Sequence, residues 1–310
     1  MNAKLPPLFA SPENSKLIQT MIGVSHRSPM LLASVLPWKD TIDRTRAPKR
    51  PDTGWMYGTP YWDQLTEAQR TEVLWLETAR DVSFFIALEQ YLPPMYMGYL
   101  IAFGAALDPA IEEYMMIFAK EEITHTMMFR RYLDITGLPT FELPMREGYA
   151  PVMHKLEHEP RSVPPIVGVL WTLILEWSAE LNAMHGTQDD IVEPFTRKMF
   201  REHHVDEIRH ITFGRRVVED YFARTPQDEL DRIRALLRPA VRDVFAEFRF
   251  TEQICDFTSF KFPFAKDDVQ ARAAVRASAN NARLHVERFR EMIDWLQPLG
   301  LLEAVPAGAH

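Results

Sequence analysis

The sequence contains a single cysteine, Cys255, among its 310 residues. One thiol cannot form an intrachain disulfide, an all-thiolate zinc site or a cysteine-bound iron–sulfur cluster. We expect Cys255 to be a small buried hydrophobic side chain and the chain to be cytoplasmic, where thiols stay reduced. Any metal chemistry must therefore use histidine and carboxylate ligands.

Positive charge and long apolar runs are also scarce. The chain has 35 Lys and Arg against 43 Asp and Glu, a formal net charge of −8. This balance argues against nucleic acid and against a membrane surface as partners, because both need a basic face on the protein. The longest apolar runs, near residues 95–107 and 166–175, are shorter than the roughly 20 residues that cross a bilayer. The N-terminus also lacks the features of a secretory signal.

Helix signals, by contrast, are frequent, and no strand-like alternation is long enough to predict a sheet. The pair Thr66 and Gln69 forms a capping box that predicts the start of a first long helix. Pro93 and Pro94 interrupt this helix, which either kinks there or stops and restarts. The later helices are predicted at 109–137, 164–184, 194–222, 225–252 and 267–298, with a long connection over 138–162.

The segment 200–210 reads Phe-Arg-Glu-His-His-Val-Asp-Glu-Ile-Arg-His. In a helix, His203, Glu207 and His210 fall within a sector of about 60° and share one face. His204 points about 100° away from His203. Three potential metal ligands therefore project from the same side of this helix.

A second motif places Glu122 and His125 three residues apart, again on one helix face. Two Glu-x-x-His segments on two helices are the pattern by which ferritin-like bundles bind a pair of iron or manganese ions. Such sites take one further Glu from each of the other two helices. The sequence therefore predicts two more ligands of this type.

Glu77 and Glu89 are the candidates on the first helix. In an antiparallel hairpin that turns near Asp108, Glu89 lies level with Glu122. Glu77 would lie about 18 Å further along the axis at 1.5 Å per residue. Glu89 is therefore the preferred ligand.

On the third helix the candidates are Glu176 and Glu180. Glu176 better matches the distance of His203 from the turn near Thr187, so it is preferred. Glu180 remains the alternative, either as a ligand or as a hydrogen-bonding partner of a ligand. Apolar residues flank these acids, and a carboxylate buried among them needs a proton or a metal ion to neutralise it.

These patterns predict an all-α fold, a ferritin-like helical bundle with additional N- and C-terminal helices. We expect one domain over residues 1–310, with a peripheral arm (1–62), a four-helix metal-binding core (63–222) and further helices (223–310). The arm is rich in proline, and its aromatic residues Trp38, Trp55, Tyr57 and Trp62 are expected to anchor it. A disordered arm is the alternative. The histidines outside the motifs are expected to be structural or solvated: His26, His154, His158, His185, His204, His285 and His310.

The combined pattern resembles the p-aminobenzoate N-oxygenase family of ferritin-like diiron oxygenases. Its distinguishing feature is the third imidazole, which joins the site through His-x-x-x-Glu-x-x-His. By this resemblance the metal ligands are Glu89, Glu122, His125, Glu176, His203, Glu207 and His210. Glu122 and Glu207 would bridge the two ions. Glu89 and His125 would complete one ion, and Glu176, His203 and His210 the other.

The resemblance implies a non-haem diiron N-oxygenase. Two iron ions, with manganese as the alternative, would activate O₂ to oxidise a primary amine to a hydroxylamine and onward to a nitroso or nitro compound. The chain has no Gly-x-Gly-x-x-Gly loop and no cysteine cluster, so we expect an external electron donor or reductase. By analogy we expect a homodimer.

Other classes of function fit parts of the same pattern. Another diiron carboxylate oxidase, such as a hydroxylase or desaturase of a carrier-bound substrate, would use six of the ligands and leave His203 outside the site. An iron-storage or metal-stabilised binding protein would bind metal without oxidising an amine. A metal-free helical binding module would leave the acids and histidines on unrelated faces.

Overall fold

The computed structural model describes residues 8, 10–39, 41–104, 107–143 and 147–302. Over this part of the chain it contains helices and no strand, so the all-α prediction is confirmed there. The α-helices in chain order are α1 (Pro12–Arg27), α2 (Pro60–Asp63), α3 (Glu67–Phe103), α4 (Pro109–Thr136), α5 (Ala150–His158), α6 (Ile166–Met184), α7 (Pro194–Phe222), α8 (Gln227–Glu247), α9 (Val269–Arg276) and α10 (Ala279–Leu296).

Four long helices form the centre of the molecule. Helix α3 packs along α4, α6 packs along α7, and α3 also contacts α6. The remaining helices cover this bundle, with α1 against α4 and with α8 and α10 against α6. One apolar core runs through the whole assembly of helices. The four central helices are the ones predicted to carry the metal ligands.

Helix α6 is apolar on all sides and lies at the centre of the bundle. By length and composition it could cross a membrane, but 94% of that window is buried inside the protein. A helix that is hydrophobic all round needs such burial in a folded bundle. Its composition is therefore explained by its position in the core.

Helix α3 begins where the sequence predicts and continues beyond the two prolines that were expected to interrupt it. Thr66 and Gln69 form both hydrogen bonds of the capping box. The helix then continues through Pro93 and Pro94 to Phe103, so of the two alternatives the stop and restart is wrong. A proline inside a helix costs about 3 kcal/mol, and burial of Leu92, Pro93 and their neighbours between helices offsets that cost.

The predicted bounds of α4, α6 and α7 agree closely with the structure. Asp108 caps α4 by accepting a hydrogen bond from the backbone N–H of Ala110. Gly137 ends this helix with φ of 62°, a left-handed conformation that favours glycine. Helix α7 begins at Pro194, as predicted, and the side chain of Glu193 caps it.

The periphery contains helices that were not predicted. Helix α1 lies within the predicted irregular arm, and α5 lies within the predicted long connection. Helix α8 ends at Glu247, before the predicted end near residue 252, and the predicted last helix is divided into α9 and α10. Residues 1–7, 9 and 40 of the arm, 144–146 of the connection, and His310 lie outside the described residues.

The described part of the arm is held by aromatic and charged side chains. Trp55 and Trp62 are buried, Trp38 is half-buried, and Tyr57 is exposed. The guanidinium carbon of Arg288 lies 4.3 Å from the centre of the Trp55 ring. The anchoring role is therefore clearest for Trp55 and Trp62, while the division into arm, core and further helices stays a prediction.

Candidate metal centre

Helices α3, α4, α6 and α7 bring the seven predicted ligand side chains to one place inside the bundle. All seven side chains are buried, with at most 2% of each residue exposed. They are Glu89 from α3, Glu122 and His125 from α4, Glu176 from α6, and His203, Glu207 and His210 from α7. The structure thus collects four carboxylates and three imidazoles away from solvent.

Glu207 lies at the centre of this cluster. Its Oε1 is 3.2 Å from Nε2 of His203, 3.3 Å from Nδ1 of His125 and 3.3 Å from Nδ1 of His210. The residues of α7 face inward together because their spacing follows the helical period. One carboxylate oxygen therefore faces all three imidazole rings.

Glu89 and Glu122 contact the same rings from two other directions. Oε1 of Glu89 lies 3.0 Å from Nε2 of His203. Oε1 of Glu122 lies 2.9 Å from Nδ1 of His210 and 3.7 Å from Nδ1 of His125. Two groups of three residues each offer ligand atoms that all lie within 4.8 Å of one another within the group. The first group is Glu89, His125 and His203, and the second is Glu122, His125 and Glu207.

Glu176 and Glu180, the two alternative ligands on α6, have different positions in the structure. Glu176 is completely surrounded by protein, and its carboxylate lies against Glu207 and is repelled by Glu207, Glu122 and Glu89. Oε2 of Glu180 lies 3.3 Å from Nδ1 of His203, and Oε1 of Glu180 accepts a hydrogen bond from Nδ1 of His204. Glu176 therefore faces the cluster, whereas Glu180 lies behind His203.

In each of the three imidazole rings, the nitrogen that points away from the cluster faces a further carboxylate. Oδ2 of Asp206 lies 3.2 Å from Nε2 of His125, and Oε2 of Glu121 lies 2.9 Å from Nε2 of His210. Glu180 occupies the same position beside His203. Carboxylates placed in this way fix the tautomer and orientation of metal-binding histidines. The other nitrogen of each ring then points into the cluster, where it could bind a metal ion.

Glu121 and Asp206 were not predicted from the sequence as part of the site. The signal that could have found them is their position directly before the Glu of each Glu-x-x-His motif. Arg209 joins them, since its Nη2 lies 3.1 Å from Oε1 of Glu121 and 2.5 Å from Oδ1 of Asp206. The two outer carboxylates therefore share one buried cation.

The pKa values of the clustered groups shift in opposite directions. Burial raises the pKa of Glu89 to about 8, and burial together with the neighbouring acids raises the pKa of Glu176 well above its usual value. Burial also disfavours the charged form of Glu207, but the imidazoles of His210 and His203 outweigh it and hold its pKa well below the usual value. The surrounding acids raise the pKa of His203 to about 10 despite its burial.

These residues fit a pair of divalent metal ions. Both oxygens of Glu122, Glu176 and Glu207 are buried and make no well-aligned hydrogen bond, although Oε1 of Glu122 and Oε1 of Glu207 lie within 3.3 Å of Nδ1 of His210, and buried oxygens of this kind need an ion or a water to satisfy them. Four carboxylates and three imidazoles are the oxygen and nitrogen donors that iron and manganese accept. A buried cluster of four acids also needs compensating positive charge.

Aromatic rings enclose the cluster. The ring of Phe118 stacks on His210 with 3.9 Å between centroids, and Phe85 and Phe129 lie 4.8 and 4.9 Å from the ring of His203. These rings and the surrounding apolar core separate the ligand atoms from water. Such a dry environment protects reactive oxygen chemistry from side reactions.

Several other candidates lie outside the cluster. Glu77 is buried near the start of α3, where its oxygens accept hydrogen bonds from the backbone N–H of Trp55 at 3.0 and 3.1 Å. His26, His154 and His158 have exposed side chains. Cys255 is half-buried and packs against the apolar core, so the expectation of a small buried hydrophobic side chain is met in part, and burial raises the pKa of its thiol to about 11.

Comparison with known protein families identifies a match that covers nearly the whole chain. The model of the family described as "P-aminobenzoate N-oxygenase AurF" matches residues 11–300, nearly the whole chain. No curated protein sequence matches the chain. The match covers all four helices that carry the cluster.

Proposed function

The chain belongs to the p-aminobenzoate N-oxygenase family, and from that premise we propose that it oxidises the amino group of a small primary amine, first to a hydroxylamine and then to a nitroso or nitro compound. The seven buried side chains would be the metal ligands. In the first step the amine, O₂, two electrons and two protons give the hydroxylamine and water. This balance requires an external electron donor.

The observation that carries this proposal is the position of His203. Its Nε2 lies 3.0 Å from Glu89 and 3.2 Å from Glu207, within the cluster rather than behind it. A diiron oxidase that uses four carboxylates and two imidazoles would leave this ring outside. The third imidazole therefore favours the N-oxygenase over a hydroxylase or desaturase of a carrier-bound substrate.

Two iron ions would be held with Glu122 and Glu207 between them, Glu89 and His125 on one, and Glu176, His203 and His210 on the other. Manganese is the alternative metal. When bound as ferrous ions they would supply the electrons and the open positions at which O₂ is activated. The additional neutral imidazole would donate electron density to one ion without adding negative charge.

The residues around the cluster would prepare it for this chemistry. Asp206, Glu121 and Glu180 orient the three imidazoles, so the ring nitrogens that face the ions do not have to reorganise during the reaction. The rings of Phe118 and Phe129 exclude water. Without water nearby, fewer side reactions would compete with oxidation of the bound amine.

The remaining expectations on partners and location stay predictions. We expect the electrons to come from a separate reductase or a small reductant, because the sequence contains neither a nucleotide-binding glycine loop nor a cysteine cluster. The homodimer and the cytoplasmic location likewise stay predictions.

The proposal can be tested with the purified chain loaded with ferrous iron. A panel of arylamines, alkyl amines and acyl-carrier substrates would be offered with a chemical reductant and isotope-labelled O₂, and the products analysed by mass spectrometry. We expect labelled oxygen on the nitrogen of an amine. Protein loaded with zinc is the control, because zinc has no redox chemistry. Label found only on carbon of an acyl-carrier substrate would contradict the proposal.

A further inference from the structure

One face of α4 is exposed to solvent along most of the helix and is largely apolar at its centre. Its side chains recur at alternating intervals of three and four residues, the spacing that keeps residues on one side of a helix. Met116, Ile123 and Met127 on this face are 47%, 51% and 44% exposed. We call this face the α4 stripe, and its residues are Glu113, Met116, Lys120, Ile123, Met127 and Arg130.

The α4 stripe lies on the side of the helix opposite the candidate metal centre. Glu122 and His125, the two proposed ligands of α4, are fully buried. At 100° per residue, the centre of the stripe lies about 160° around the helix axis from the middle of the ligand face. Helix α4 packs against α1, α3 and α7, and the stripe stays exposed beside them. One face of α4 is therefore without a partner in the single chain.

An exposed face of α3 runs beside the α4 stripe and widens it. The side-chain amide of Gln90 on α3 contacts the guanidinium of Arg130 on α4. Met97 and Ile101, which are 45% and 82% exposed, continue the same face of α3 towards the turn between the helices. Because α3 and α4 are antiparallel, these two residues lie alongside the Met116 end of the stripe. An exposed apolar surface of this kind marks an interaction site.

The order of side chains along the α4 stripe suits pairing with a second copy of itself. When a two-fold axis crosses a helix, the two copies of that helix run antiparallel, and a residue that contacts a second residue is contacted by it in return. With the axis at the middle of the stripe, Met116 meets Met127 of the second copy, and Lys120 meets Ile123. At each end of the contact Glu113 meets Arg130. Every contact of this set occurs twice.

The charges of the stripe select the antiparallel direction. Glu113 and Arg130 lie at opposite ends of the stripe, so antiparallel pairing brings opposite charges together at both ends. Parallel pairing would place each of them against its own copy, where like charges repel. In the antiparallel arrangement the aliphatic stem of Lys120 covers Ile123, and its ammonium group extends into solvent. The stripe is thus complementary to itself in both shape and charge.

We propose that the protein forms a homodimer through α4, with the stripes of two copies packed antiparallel and α3 at the edges of the contact. This interface gives a surface to the homodimer expected by analogy, and it does not depend on which reaction is catalysed. The opposite face of α4 carries two of the proposed ligands. The two metal centres of the dimer therefore lie on either side of the interface, each behind its own copy of α4.

A substitution at the centre of the contact tests the surface. Sedimentation equilibrium of the full chain over a range of protein concentrations gives the dimer Kd. Met127→Glu should weaken the dimer at least about a hundredfold, because each dimer then buries two extra carboxylates against Met116. Val286→Glu on α10, at a position that is 45% exposed, is the matched control and should leave the Kd unchanged.

Two outcomes of this experiment contradict the proposal. A chain that stays monomeric at every concentration would overturn it and leave the exposed face to a different partner. An equal Kd for Met127→Glu and Val286→Glu would place the dimer contact elsewhere on the molecule. Circular dichroism of both variants shows that the helical fold is kept, so that loss of the dimer is not a loss of folding.

A charge exchange tests the direction of pairing. Arg130→Glu and Glu113→Arg each place like charges at both ends of the contact and should each weaken the dimer about tenfold. The combined variant restores opposite charges and should return the Kd to within about threefold of the unchanged protein. Glu113 also lies 3.5 Å from His26, but both side chains are exposed and losing this pair has little effect on folding. A combined variant that dimerises no better than the single variants would overturn the antiparallel arrangement.

Discussion

Nε2 of His203 lies 3.0 Å from Oε1 of Glu89, although the two residues are 114 positions apart in the sequence. This contact joins α7 to α3. Among the proposed ligands, the His203 ring also lies beside Glu207 and His125. Its importance can be measured by substitution.

His203→Ala should keep the helical fold but bind about half as much iron per chain and lose amine oxidation, because one ion loses a direct ligand. Iron content by metal analysis, circular dichroism and product formation are the measurements. His154→Ala, at an exposed side chain, is the matched control and should bind as much iron as the unchanged protein. Full iron content and activity in His203→Ala would remove the reason to prefer the N-oxygenase reading.

Asp206→Asn should lower iron affinity roughly 10- to 100-fold without removing a ligand, because Nε2 of His125 loses the carboxylate that orients its ring. Competitive titration against a chelator measures this affinity. Glu202→Gln on the same helix, outside the cluster, provides the comparison. Equal affinities for the two variants would show that Asp206 has no supporting role.

Removal of iron should destabilise the protein, because the four clustered acids then lose the cations that would compensate them. By linkage, iron at 100 times its Kd stabilises the fold by about 3 kcal/mol. Thermal unfolding with iron and with excess chelator measures the difference. His203→Ala should show a smaller shift in Tm, and identical unfolding with and without iron would contradict a metal site in the core.

Stability should depend on pH through His285. Burial, with smaller contributions from Arg249 and Arg288, lowers the pKa of His285 from 6.5 to about 4 in the folded state. Between these values the unfolded chain binds the proton and the folded chain does not, so stability falls as pH decreases through this window and changes no further below about pH 4.

This linkage predicts a loss of about 2 kcal/mol between pH 7 and pH 5 from this group alone. His285→Phe keeps an aromatic ring beside Phe245 and Phe289 and cannot be protonated. Urea unfolding at the two pH values should therefore show a loss that is smaller in the variant by this amount. Equal losses would mean that His285 titrates normally in the folded protein.

Lys49→Met should destabilise the protein by about 3 to 5 kcal/mol. Nζ of Lys49 lies 3.4 Å from Oε2 of Glu77 and 3.2 Å from Oδ2 of Asp81, and all three side chains are buried. The substitution leaves two acids buried without this cation. Urea unfolding measures the change, with Lys39→Met at an exposed position as the control. A similar small effect in both would contradict docking of the arm through Lys49.

The sequence was sufficient for features that depend on local chemistry. The caps at Thr66 and Asp108 and the glycine at position 137 predicted helix ends because capping needs only neighbouring residues. The spacing of His203, Glu207 and His210 predicted that they face one direction. The structure brings these and the other proposed ligands together, and their role as ligands stays a prediction.

Other features required knowledge of packing. Continuation of α3 through Pro93 depends on burial against other helices, which no local rule supplies. The hydrogen bond between Asp206 and His125 depends on how far α4 is displaced along α7. Helix α1 was predictable in principle, because Ser11 and Pro12 form a start signal and Ile18 and Ile22 recur at helical spacing.

The outer carboxylates exchange partners between helices: Glu121 of α4 holds the ring of α7, and Asp206 of α7 holds the ring of α4. Arg209 clamps both acids. Sliding α4 past α7 by even a single helical turn, about 5.4 Å, would break both contacts simultaneously. The orientation of His125 and of His210 therefore depends on the alignment of α4 with α7. Mutations that loosen the packing of these two helices should change the orientation of both rings together.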